Sequence, residues 1–193
     1  MTTKKTRPAG PAVIKYNIRF TPLPTDPKGA SEFYYSLGVL MVAWGRLEGH
    51  FTLTLLNLMR MAGATVVTHK LPISWKARCG IWRKAFKSIH ELKPLEDKAN
   101  QLLDKIIDTA QDRHILLHAN WEDFHQNDPK RIDVISLKHE KSSQDGLQFQ
   151  RITITLDMLK TITKNINAHN KQLYEISALV SSYSPAPKNA RPI

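Results

Sequence analysis

Cysteine is almost absent from this chain of 193 residues; Cys79 is the only one. A single thiol excludes an intrachain disulfide and any cysteine-based zinc knuckle, and it makes a reduced, cytoplasmic setting the expectation. Long apolar runs are missing as well. The longest, Leu37 to Trp44, falls far short of the ~20 residues a membrane-spanning helix needs, so no membrane partner is expected. Met1-Thr2-Thr3-Lys4-Lys5 leads into prolines and not into an apolar segment, so no secretory signal is expected either. Acidic residues are scarce, 17 against 28 Lys and Arg, leaving a net charge of +11.

What is present describes one domain. Hydrophobic residues make up 41% and charged residues 23%, the balance of a globular protein long enough to bury a core. The positive charge is unevenly spread: residues 1–31 carry +5, the tail from Ser182 carries +2, and the body holds the remaining +4. Basic arms suit a polyanion such as RNA or DNA, and equally suit a solvated tail that only aids solubility.

The expected organisation is a proline-rich basic arm over residues 1–30, a helical domain over 31–182, and a tail over 183–193. In the arm, Pro8, Pro11, Pro22, Pro24 and Pro27 exclude a continuous helix. Ile14, Tyr16, Ile18 and Phe20 alternate there with polar residues, which allows one edge strand. Ser31 opens a long first helix with the apolar stripe Leu37, Leu40, Trp44, Leu47, Phe51, Leu55, Leu58 and Ala62, ended by Gly63. A stripe of that length serves as core or as a dimer seam.

Ser74 is the expected cap of a second helix with an apolar face of Trp75, Cys79, Trp82, Phe86 and Ile89. Lys76, Arg78, Arg83, Lys84 and Lys87 crowd the rest of it, with no acid before Glu91. Such a face holds phosphates while its aromatics stack bases, or else the aromatics are core and the cations are solvated. A third helix begins near Pro94 with the stripe Ala99, Leu103, Ile106 or Ile107, Ala110, His114 and Leu117. Beyond it, Ile132, Val134 and Ser136 and then Phe149, Ile152 and Ile154 flank the polar turn Lys141 to Gly146, which predicts a β-hairpin over about 132–155. Thr155 caps a final helix with Leu156, Leu159, Ile162, Ile166, Leu173, Ile176 and Leu179 apolar. The fold class expected is therefore mainly α: an up-down bundle of about four long helices, with a β-hairpin inserted between the third and the last.

The stretch with chemical promise is Asp112-Arg113-His114-Ile115-Leu116-Leu117-His118. It joins a fixed cation to two groups of the type that titrates near neutral pH. On the expected stripe His114 faces the core, His118 lies about 40° from it, and Arg113 lies about 140° from His118. Three explanations remain open on these residues alone. Histidines four apart on a helix match a pair of metal ligands, but the glutamate of the zincin motif is missing and His125 is only the nearest third candidate. The histidines fit equally as hydrogen-bonded core residues, with Arg113 paired to a carboxylate such as Glu48. Phosphodiester chemistry is the third: arginine offsets charge on phosphorus and histidine moves protons.

Arg113-x4-His118 resembles the Arg-x4-6-His motif of the HEPN superfamily, small helical proteins that include many RNases. His114 fits the polar residue that often follows the arginine there. The surroundings are similar over residues 32–125: a long first helix with Trp44-x3-Glu48, a basic second helix, a third ending in Arg-His-x3-His, and Trp121 close behind. Family members frequently carry glycine after the histidine, where this chain has Ala119, and the hairpin is an elaboration of the minimal domain. The resemblance implies a metal-independent endoribonuclease of toxin–antitoxin or phage-defence type, acting at a composite site of two protomers. No metal and no other cofactor is expected.

In that reading His118 transfers protons, Arg113 stabilises the phosphorane, and His114 orients phosphate or shares the proton work. RNA is then the substrate, a second copy of the chain the partner, and an antitoxin protein a further one. Some HEPN-like domains are not nucleases, so the alternative implied is a helical module that binds RNA or protein. A DNA-binding regulator ranks last, because no compact helix-turn-helix is evident.

Overall fold

The computed structural model describes residues 30–61, 70–125, 128–139 and 147–183. The basic arm with its expected strand, the end of the first helix at Gly63, the Lys141 to Gly146 turn and the tail lie outside these residues. The chain is mainly helical, with a small antiparallel sheet late in the sequence. Helix α1 spans Ser31–Arg60, α2 Trp75–Ser88 and α3 Glu96–His118; strands β1 Asn120–His125, β2 Asp128–His139 and β3 Leu147–Thr155 follow; α4 is Leu156–Tyr183. A 3-10 turn over His90–Leu95 contains Pro94 and leads into α3. Among the described residues no helix is long and apolar enough to cross a membrane.

Helix α1 forms along its predicted stripe, with Leu40, Trp44, Leu47, Phe51, Leu55 and Leu58 buried and Leu37 half-buried. Among the helices it packs most extensively against α4, whose Leu159, Ile166, Leu173, Ile176 and Val180 are buried in turn. The stripe is therefore covered within the chain, by its last helix and, at Trp44 and Phe51, by Trp75 and Trp82 of α2. It starts one residue earlier than a serine cap would require. Ala30 holds the capping position with no side-chain bond, and Ser31 is already helical.

Two caps fall as expected. Ser74 Oγ accepts the Ala77 N–H at 3.2 Å, and Thr155 Oγ1 accepts the Met158 N–H at 3.1 Å, each satisfying a donor that the first turn leaves open. Helix α2 buries Cys79, Trp82 and Phe86, with Ile89 buried just beyond it. The Trp82 indole N–H donates to the Ala99 carbonyl at 3.2 Å, fastening α2 to α3.

The expected hairpin is present and extended by a strand. β2 and β3 pair antiparallel with Ile132 opposite Ile154 and Val134 opposite Ile152. β1 adds to the other edge of β2, with Trp121 opposite Val134 and Phe124 opposite Ile132, across two register irregularities. Its ordering comes from aromatic contacts with the first turn of α1. The Phe33 ring meets Trp121 edge-on at 6.2 Å and Phe124 at 5.4 Å.

The path of burial along α3 departs from the predicted one. Ala99, Leu102, Leu103 and Ile106 are buried, and the inward face then continues through Thr109, half-buried Arg113 and Leu116. His114 and Leu117 are exposed. The expectation of His114 as a core-facing residue is thereby corrected. From Ile106 the stripe steps three, four and three residues, and the one expected stepped four, four and three.

Candidate functional site

Arg113 leaves α3 toward α1. Its guanidinium carbon lies 5.7 Å from the centroid of the Trp44 ring, within the range where the electron-rich ring face attracts a cation. Its Nε is buried and has no hydrogen-bond partner among the described residues. The residue as a whole is half-buried, and its guanidinium is lodged beside the aromatic core.

Trp44 is itself oriented. Its indole N–H donates to Glu48 Oε2 at 3.2 Å, one turn along α1. The other oxygen of Glu48, Oε1, lies 3.7 Å from Arg78 Nη1. Arg78 also donates from Nε to the Pro72 carbonyl at 2.8 Å and from Nη1 to Thr52 Oγ1 at 3.3 Å. Glu48 thus serves Arg78, not Arg113 as expected, and Arg113 meets the Trp44 ring instead. Indirectly Glu48 still bears on Arg113, by holding the ring beneath it.

His114 and His118 lie on the outer face of α3. Both are exposed, and their rings approach with centroids 4.5 Å apart and planes tilted by 46°. Neither forms a hydrogen bond or ion pair with another described residue. Asp112, which does not pair with Arg113, has its carboxyl pushed above the usual range by partial desolvation and by the Asp108 carboxylate one turn earlier. The helix ends cleanly behind the pair. Ala119 is extended (φ −71°, ψ 150°), and its N–H bonds to the Ile115 carbonyl at 3.0 Å. No left-handed residue is needed there, so alanine meets the backbone requirement of this helix end. The Trp121 indole N–H takes the Leu116 carbonyl at 3.1 Å and ties β1 to this last turn.

His125, the third metal-ligand candidate, belongs to the sheet instead. Its Nε2 lies 3.1 Å from Asp133 Oδ1, which also accepts from Thr153 Oγ1 at 2.7 Å. These two bonds, that from Thr153 first, hold the Asp133 carboxyl below its ordinary range. Among the described residues no three histidine, cysteine or carboxylate side chains gather into a metal-binding group.

The basic residues of α2 divide into two sets. Arg78 is half-buried and engaged as described, and Arg83 pairs with Asp104 of α3. Lys76, Lys84 and Lys87 are exposed and form no ion pair among the described residues. A cationic surface of lysines remains beside the aromatic interior, whereas Trp82 and Phe86 are fully buried and unavailable for stacking on bases.

Sequence reasoning missed several polar contacts that join distant segments. His50 Nδ1 lies 3.0 Å from Asn170 Oδ1, linking α1 to α4. The neighbouring His169 has a buried Nδ1 with no partner among the described residues; burial, and then the nearby Lys105 cation, lower its pKa. The Trp44–Glu48 spacing was visible in the chain, but the arginine stacked on the ring was not. No family model, curated protein or solved structure matches the chain.

Proposed function

We propose that the protein is a metal-independent endoribonuclease of HEPN type. The observation that carries this reading is the end of α3. There two exposed imidazoles lie side by side on the outer face, and Arg113, which precedes His114 in the chain, is held by Trp44 on the inward face. Lys76, Lys84 and Lys87 support it as a surface for phosphates.

In this reading His118 removes the proton from a ribose 2′-hydroxyl, whose oxygen attacks the adjacent phosphorus. Charge builds on the phosphorane and is offset by the Arg113 guanidinium. The 5′-oxygen leaves with a proton supplied by imidazole, and the products are a 2′,3′-cyclic phosphate and a 5′-hydroxyl end. DNA lacks the attacking group and is not cut. The proposal includes an up-down helical bundle, a composite site completed by a second copy, a cytoplasmic setting, and control by an antitoxin protein.

The test is RNA incubated with purified protein in EDTA. Cleavage is expected from the wild type, with a loss of about 100-fold or more in His118→Ala, the scale of general acid–base catalysis. Equal, background-level cleavage by both proteins defeats the reading. A second reading is favoured by the buried Nε of Arg113: a non-catalytic module that binds RNA or protein, with Arg113 serving α1–α3 packing. It expects Arg113→Ala to lower Tm and salt-sensitive RNA binding to persist without product.

A further inference from the structure

We propose that His114 and His118 form a two-histidine site for a divalent transition-metal ion on the outer face of α3. Residues four apart on a helix place their Cβ atoms within about 5–6 Å on one face. Here the rings already converge, with centroids 4.5 Å apart. Both side chains are exposed, and their nitrogens make no hydrogen bond to another described residue. Four other histidines have described side chains and are placed differently: His50 is bound to Asn170, His125 to Asp133, His169 is partly buried, and His90 stands without a second imidazole beside it among the described residues.

The chemistry selects the ion class. Two neutral imidazole nitrogens suit Cu(II), Ni(II) and Zn(II), with Cu(II) bound most tightly, and do not suit magnesium or calcium. No third protein ligand joins them among the described residues, so water completes the coordination sphere. This is an exchangeable surface chelate and not a resident cofactor. A bound ion occupies a ring nitrogen of His118 and removes it from proton transfer. That last consequence alone rests on the ribonuclease reading; the binding does not.

The test uses the full chain, stripped with EDTA and exchanged, titrated calorimetrically with Ni(II) or Zn(II) at pH 7.5. One equivalent is expected to bind more tightly than any other. Removing an outer-shell partner already costs a metal site about 10–100-fold, and each ligand is expected to matter at least as much. His114→Ala and His118→Ala should each weaken that equivalent by tenfold or more, while His90→Ala leaves it unchanged. Acidification to pH 5 should abolish it, since binding needs deprotonated imidazole. Isotherms unchanged in either pair variant, or no binding tighter than millimolar, overturn the proposal. If the ion binds through this pair and cleavage of RNA continues undiminished, the metal site stands and the role of His118 in proton transfer falls.

Discussion

At the residue scale, the chain announced which side chains to examine but not which way they point. Arg113 and His118 stood out by type and spacing, whereas the inward position of Arg113 depends on an aromatic face supplied by another helix. A polar residue continues a buried stripe only when tertiary structure provides a partner for it. Trp44 does so here, and this moved the α3 stripe by one residue and put His114 outside. Cys79 gives a sharper test of the interior. Burial, only partly offset by the nearby Arg83 cation, pushes its thiol up to about 11. At pH 8 only about one thiol in a thousand is then thiolate, the reactive form. A disulfide reagent is therefore expected to leave Cys79 unmodified in the native protein and to label it fully in guanidinium; rapid native labelling would contradict the burial.

At the element scale, what the sequence carried best was periodic. The stripes of α1, α2 and, as far as Ile176, α4 were legible because each helix turns one continuous face to the core; at the end of α4 Val180 is buried where Leu179 was expected, and Leu179 is exposed. The caps at Ser74 and Thr155 were legible because the bonds they make are local. Strand β1 was not. Asn120–His125 is short and lacks alternation, and it packs against Phe33, far away in the sequence. The two caps invite a direct measurement. Ser74→Ala and Thr155→Ala are each expected to lower unfolding free energy by about 1 kcal/mol, seen in urea as a lower midpoint with an unchanged slope. A change in slope would mean that more than a cap had been removed.

At the scale of the whole molecule, stability should depend on pH through His169. Its folded pKa lies below the ordinary 6.5 because of burial and then Lys105. Above about pH 6.5 both folded and unfolded forms are neutral, and the group contributes nothing. As pH falls through that value the unfolded chain takes up a proton first, so stability declines until the lower folded pKa is passed. Tm is expected to be lower at pH 5.5 than at pH 7.5, and His169→Gln, which cannot be protonated, should show a smaller drop in a thermal scan. An equal drop in both proteins would move the effect to other groups.

The pairing of α1 with α4 has a consequence during synthesis. The two helices are joined through contacts such as His50 with Asn170, 120 residues apart in the chain. At about 5–20 residues per second, α1 emerges from the ribosome on the order of ten seconds before its partner is complete. Throughout that interval the stripe from Leu40 to Leu58 lacks its main cover, and only Trp44 and Phe51 have partners, in Trp75 and Trp82 of α2. A nascent chain stopped before Leu156 carries the remainder of that apolar face permanently, which makes the unfinished protein a substrate for chaperones or for aggregation, and the last helix the step that ends the exposure.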